Sequence, residues 1–248
     1  AKLGISVGVS ESTVVRFANE LGFSGYPKLQ KALQELIKNK LTTVQRIELS
    51  NDIVSQESPL KGVLKSDMEN IRATLEKINH KTFDDLINSI FKAKKIYIIG
   101  LRSSTAIADF LGFYLNLILD NVKVVGYGIS DIFEQMINLT EDDLVIGIGF
   151  PRYAARTIES LTFAKSRGAE VAAITDSLLS PLASAADYTL IAQSNMASFV
   201  DSLVAPLSVI NALIVSVGLK EKEKISSTFA DLENIWQEYQ VYSFREGN

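Results

Sequence analysis

The chain has 248 residues, 47% of them apolar, enough for one large domain or two smaller ones. It has no cysteine, which excludes disulfides, thiolate metal sites and cysteine catalysis; its one histidine, His80, excludes a multi-histidine metal site within one chain. The net charge of −4 is uneven: residues 1–50 carry seven Lys/Arg against four Glu, and the remainder carries 18 basic against 25 acidic residues. A basic head on an acidic body suggests that the head meets a polyanion, with chance as the alternative.

Ala1-Lys2-Leu3-Gly4 does not read as the start of a secretory signal, and residues 1–8 read as the tail of a helix. Ser10 is placed to cap a second helix that ends at Gly22, with Val14, Phe17, Ala18 and Leu21 at helical spacing on one face. Ser12, Thr13 and Arg16 project elsewhere. Such a short capped helix suits a recognition helix, since Arg pairs bidentately with guanine and Ser or Thr reach bases or phosphates. A small helical bundle with a solvated face is the alternative. Gly25-Tyr26-Pro27 is a turn, and Pro27 opens a helix striped by Leu29, Leu33, Leu36 and Ile37.

Residues 51–66 are the linker candidate between a head at 1–50 and a body at 67–248. Helical pattern returns at 60–78 and 83–91. After Lys95 the rhythm changes to short apolar runs at 96–99, 122–125, 144–148, 171–174 and 188–191, alternating with helical stretches such as 104–119 and 154–166. Strand alternating with helix predicts a five-stranded parallel sheet covered on both faces, an α/β body behind an all-α head. The apolar stretch 203–219 contains Pro206, Asn211 and two serines and reads as a buried helix rather than a membrane span.

Two strand-to-helix junctions carry the chemistry. Gly100-Leu-Arg-Ser-Ser-Thr105 follows the first strand, where helix amides and the positive dipole end favour an anion, with Arg102, Ser103 and Ser104 as additional contacts. A plain helix cap explains the same residues. After the third strand, Gly149-Phe-Pro-Arg-Tyr-Ala-Ala-Arg156 offers Arg152 and Arg156 as bidentate anion holders, against the alternative that they pair with carboxylates. Glu134 is a weak candidate base, with a surface glutamate the safer reading. For Asp201 and Ser202 capping is safer than a pocket role, and His80 reads as a surface or cap residue.

Val9-Ser-Glu-Ser-Thr-Val-Val-Arg-Phe17 followed by Leu21-Gly-Phe-Ser-Gly-Tyr-Pro27 resembles the helix-turn-helix of the RpiR family of bacterial transcription regulators. Residues 96–191 resemble the sugar isomerase (SIS) domain that such regulators carry, with support from Ala164-Lys-Ser-Arg-Gly-Ala169, Ile174-Thr-Asp176 and Ser180-Pro-Leu-Ala-Ser-Ala-Ala-Asp187. The resemblance implies a regulator that binds a double-stranded DNA operator through the head and senses a phosphosugar or other sugar-derived anion through the body. It further implies a homodimer or higher assembly in the cytoplasm and a head that is incomplete at its N-terminal side, with no cofactor, metal or membrane called for. The usual SIS phosphate loop has Ser, any residue, Ser, Gly, any residue, Thr. Its specified positions fall here on Gly149, Pro151, Arg152 and Ala154, so its hydroxyls are missing, whereas Ser103 and Ser104 match. That departure weighs against the alternative of a phosphosugar isomerase, which needs a placed general base. A SIS body that only dimerises is the third reading.

Overall fold

The computed structural model describes residues 2–30, 33, 41–54, 58–196 and 198–242. It divides into two compact units, residues 1–56 and 57–248.

The first unit holds α1 (Lys2–Val7), α2 (Glu11–Glu20) and α3 (Thr43–Val54). Ser10 caps α2 as expected, its Oγ accepting from the Thr13 amide at 3.2 Å. Gly22 follows at φ +83°, a left-handed conformation that ends the helix at little cost for glycine. Val14 and Ala18 are buried, but Phe17 and Leu21, expected on the same inward face, are exposed. Residues 26–30 are helical and Leu29 is buried, while Leu36 and Ile37 of the expected stripe lie outside the described residues.

The expected linker at 51–66 contains the last residues of α3 and the start of α4 (Pro59–Lys77), and the boundary between the units falls inside it, between residues 56 and 57. Proline at the first position of α4 is a natural helix start, because its missing N–H would have had no partner there.

The second unit continues with α5 (His80–Lys92), β1 (Ile96–Gly100), α6 (Thr105–Ile118), β2 (Val122–Val125), the single turn α7 (Ile132–Gln135), β3 (Leu144–Ile148), α8 (Ala155–Ser166), β4 (Glu170–Thr175), β5 (Tyr188–Ile191), α9 (Val204–Lys220) and α10 (Lys222–Glu238). All five strands are parallel, in the order β2-β1-β3-β4-β5. The apolar runs are continuous rather than alternating because β1 and β3 are buried on both faces.

Side chains alternate between those faces. Ile96, Ile98, Leu144, Ile146, Ala172 and Ile174 pack with α5, α6 and α9 on one side. Tyr97, Ile99, Val145, Val171 and Ala173 pack with α7 and α8 on the other. Burying such side chains contributes roughly 1.5–3 kcal/mol each before the entropy of ordering the chain is subtracted. Among the described residues no single helix is long and apolar enough to cross a membrane, and α9 and α10 meet at 101°.

Candidate functional site

The strand order places the site. From β1 the chain turns outward through α6 to β2. It then returns past β1 to β3 and leaves by the opposite face through α8 to β4. Loops leaving adjacent strands in opposite directions open a crevice at their carboxyl ends, where α/β sheets bind ligands. Here the reversal falls between the loop after β1 and the loop after β3, which leave neighbouring strands. These are the two junctions that carry the candidate chemistry in the sequence.

On the β1 side the chain makes a 3-10 turn over Arg102–Ser104 before α6 begins at Thr105. Ser104 occupies the cap position of α6, yet its side chain makes no capping bond. Thr105 Oγ1 instead donates to the Gly100 carbonyl at 3.0 Å, tying the helix start to the strand end. Arg102 and Ser103 are exposed and Ser104 is buried. Arg102 holds φ +58°. A non-glycine residue in the left-handed region carries strain, and such residues collect at ligand clamps.

The β3 side repeats part of this arrangement with other side chains. Arg152, exposed, holds φ +67°. The first turn of α8 follows from Ala154, also without a side-chain cap. Both helices that start at the crevice therefore present first-turn amides with no side-chain cap, the feature that attracts anions to helix starts. α5 and α7, by contrast, are capped by Asn79 and Asp131.

Arg156 is held by carboxylates. Its guanidinium lies 3.3 Å from Glu159 Oε2 and 3.8 Å from Asp131 Oδ2, and packs over the Phe133 ring. The carboxylate-pairing alternative weighed for it in the sequence is thus the arrangement the structure holds. Glu134 reaches back to the Asp131 amide at 2.9 Å and closes the capping box of α7, so the weak candidate base serves as a cap. Ser202 donates to Asp67 Oδ1 at 2.5 Å, and His80 is the exposed first residue of α5. Among the described residues no three histidine or carboxylate side chains are grouped to hold a metal ion.

Two residues beside the crevice escape the sequence reading. Tyr153 donates its hydroxyl to Asp176 Oδ1 at 2.7 Å, joining the β3 loop to the end of β4. Burial, and then the Asp176 acceptor and its charge, push the Tyr153 phenol well above the usual tyrosine range. Thr157, in the first turn of α8, has a buried hydroxyl with no hydrogen-bond partner among the described residues. Nothing in spacing marks Tyr153 and Asp176 as a pair, 23 positions apart.

In the head, Ser12, Thr13 and Arg16 are exposed on α2. The hydroxyls of Ser12 and Thr13 each lie 2.8 Å from Ser10 Oγ, a cluster at the start of the helix.

A parallel sheet whose strand order reverses between β1 and β3 defines a doubly wound α/β domain, here following a capped helix-turn-helix head. A SIS-domain family model matches residues 89–216, and a model described as a helix-turn-helix domain of the rpiR family matches residues 1–40. The chain belongs to the SIS-domain family, in the RpiR-type arrangement of a helix-turn-helix head followed by a SIS domain. It is 29% identical over 188 residues to an uncharacterized HTH-type transcriptional regulator of Haemophilus influenzae, covering 74% of this chain and 64% of that protein. The chain thus spans less than two thirds of that relative's length. The sugar isomerase domain of an RpiR transcription factor from Sphaerobacter thermophilus matches with a TM-score of 0.68 at 29% identity, over 71% of this chain and 98% of that one. The Vibrio vulnificus NanR protein, complexed with ManNAc-6P, shares the fold with a TM-score of 0.63 at 18% identity, over 98% and 86% of the two chains.

Proposed function

We propose that this chain is a DNA-binding transcription regulator whose SIS domain senses a phosphosugar or another sugar-derived anion. The observation that carries the reading is the pairing, in one chain, of an RpiR-type head with a SIS crevice flanked by two arginines in the left-handed conformation. Arg102, Ser103 and Ser104 on one side and Arg152 on the other are the proposed ligand contacts, and the uncapped amides of α6 and α8 add to them. Arg156 stands behind them, since a ligand would have to compete with Asp131 and Glu159 for its guanidinium. Ser12, Thr13 and Arg16 are the proposed operator contacts.

The regulator works as a homodimer or larger assembly in the cytoplasm, presenting two heads to half-sites about 34–36 Å apart. Ligand acts by binding two arrangements of the body unequally. The competing reading is a phosphosugar isomerase, supported by the SIS fold itself. Glu134, the base weighed for it, is occupied as a helix cap, which supports the regulator. A thermal-shift screen of phosphosugars and sugar acids, ManNAc-6P among them, tests the reading together with a turnover assay on each hit. Stabilisation by an anion without turnover supports the regulator. Turnover near that of ordinary enzymes, about 1 per second or more, contradicts it.

A further inference from the structure

α4 is attached to the body in an unusual way. Its large apolar residues Leu60, Leu64, Met68 and Leu75 are exposed, while Asn70 and Thr74 are buried. Asp67, Asn70 and Thr74 stand three and four positions apart and so share one face of the helix. Each is hydrogen-bonded to the segment that follows β5. Asn70 pairs reciprocally with the backbone of Asn195, donating from Nδ2 to its carbonyl at 3.0 Å and accepting its amide at 3.2 Å. Thr74 Oγ1 accepts the Gln193 amide at 2.8 Å, and Asp67 accepts from Ser202. Apolar contacts tolerate sliding, whereas hydrogen bonds are directional and fix a position.

The same segment continues to the crevice. Gln193 Nε2 donates to the backbone carbonyl of Asp176 at 2.9 Å, and the Asp176 carboxylate accepts the Tyr153 hydroxyl. Tyr153 is the neighbour of Arg152, whose backbone holds the left-handed conformation. An unbroken path thus runs Arg152–Tyr153, Asp176, Gln193, Thr74. Gln193 and Thr74 are both buried. Buried polar groups lose heavily when one partner moves away, so such a set shifts together or stays put. At its far end is the first helix of the second unit, directly after the boundary that follows the head in the chain.

We propose that Tyr153, Asp176, Gln193 and Thr74 are positioning residues that couple occupancy of the crevice to the placement of α4. The proposal rests on the sensing role proposed above. It gives that role a route: a ligand that draws on Arg152 shifts Tyr153, and the shift reaches the helix that follows the head. Coupling of this kind is reciprocal by thermodynamic necessity, so a change at either end must register at the other.

Hydrogen exchange on the full chain without ligand tests the route. Tyr153→Phe removes the hydroxyl at one end and keeps the ring. The proposal expects exchange at the Gln193 and Asn195 amides and through α4 to quicken by about fivefold or more, with amides of the distal half of α8 unchanged. Thr74→Val, made at the other end, is expected to quicken exchange in residues 149–154. Ser166→Ala, which removes an exposed hydroxyl bond to the Phe163 carbonyl outside the path, is the control and moves neither region. If Tyr153→Phe changes only residues 149–176 and Thr74→Val only α4 and its contacts, the coupling is overturned. A ligand screen that finds no binder overturns the sensing role instead, and the two failures are separately visible.

Discussion

The loops after β1 and β3 occupy equivalent places and carry different side chains. Each leaves a buried strand, places an arginine at positive φ and leads into a helix without a side-chain cap. The first adds two serines. The second adds Pro151 and a tyrosine locked onto Asp176, while its second arginine is paired with carboxylates. Backbone topology decides where an anion would sit, and the side chains of each loop decide what kind of grip it meets. A guanidinium grips charge, whereas hydroxyls and amides also suit neutral oxygen.

The largest expected effect separates the two arginines of the second loop. Arg152→Ala should weaken a sugar-derived anion found by screening by roughly 1.5–3 kcal/mol, the value of a hydrogen bond to a charged group, and its neutral analogue much less. Arg156→Ala should cost less, about 1 kcal/mol or under, because its guanidinium is shared with Asp131 and Glu159. Calorimetry on both variants decides it, and equal losses would erase the distinction.

Stability should also differ between the loops. A methyl added at Gly100 would meet the Ser104 backbone carbonyl oxygen at 2.7 Å and Ala108 Cβ at 2.9 Å. At Gly149 it would meet the tip of Leu182 at 2.8 Å, which can turn aside. Gly100→Ala should therefore destabilise by about 1–3 kcal/mol, visible in a denaturant titration, and Gly149→Ala by clearly less. The reverse order would show that the β1 junction is the softer one.

Arg16→Ala in the head extends the contrast. It should weaken specific DNA binding by roughly 1–3 kcal/mol and leave anion affinity in the body unchanged, as checked by fluorescence anisotropy and calorimetry on one preparation.

Tyr153→Phe should cost about 0.5–1.5 kcal/mol of stability for one hydrogen bond. The fold raises this phenol above its ordinary value, so it favours the neutral form. The contribution is complete below the usual tyrosine value of about 10 and is lost only as pH rises toward the folded value. The stability difference between parent and variant should be flat from pH 6 to 9 and shrink in alkali, as followed by denaturation across pH.

The sheet was legible because strands such as Ile96–Gly100 and Leu144–Ile148 are buried on both faces and read as unbroken apolar runs bounded by glycine or polar residues. The two crevice loops were legible because arginine and serine clusters directly follow those runs. What periodicity misassigned was the direction of a face. Phe17 and Leu21 stand at helical spacing with Val14 and Ala18, yet only the latter two are buried and the former face solvent. Period alone marks a stripe; the partner that covers it is set by tertiary packing. The Tyr153–Asp176 pair was invisible because it joins two loops only after β3 and β4 have paired.

The central claim is that a sugar-derived anion in the β1/β3 crevice changes how the head holds DNA. The most direct measurement is the operator affinity of the full protein with and without a saturating anion found by screening, at fixed salt. The account predicts a change of roughly 5–150-fold in either direction, lost in Arg152→Ala at ligand concentrations that saturate only the parent. Operator affinity that stays the same with the crevice demonstrably filled would contradict it.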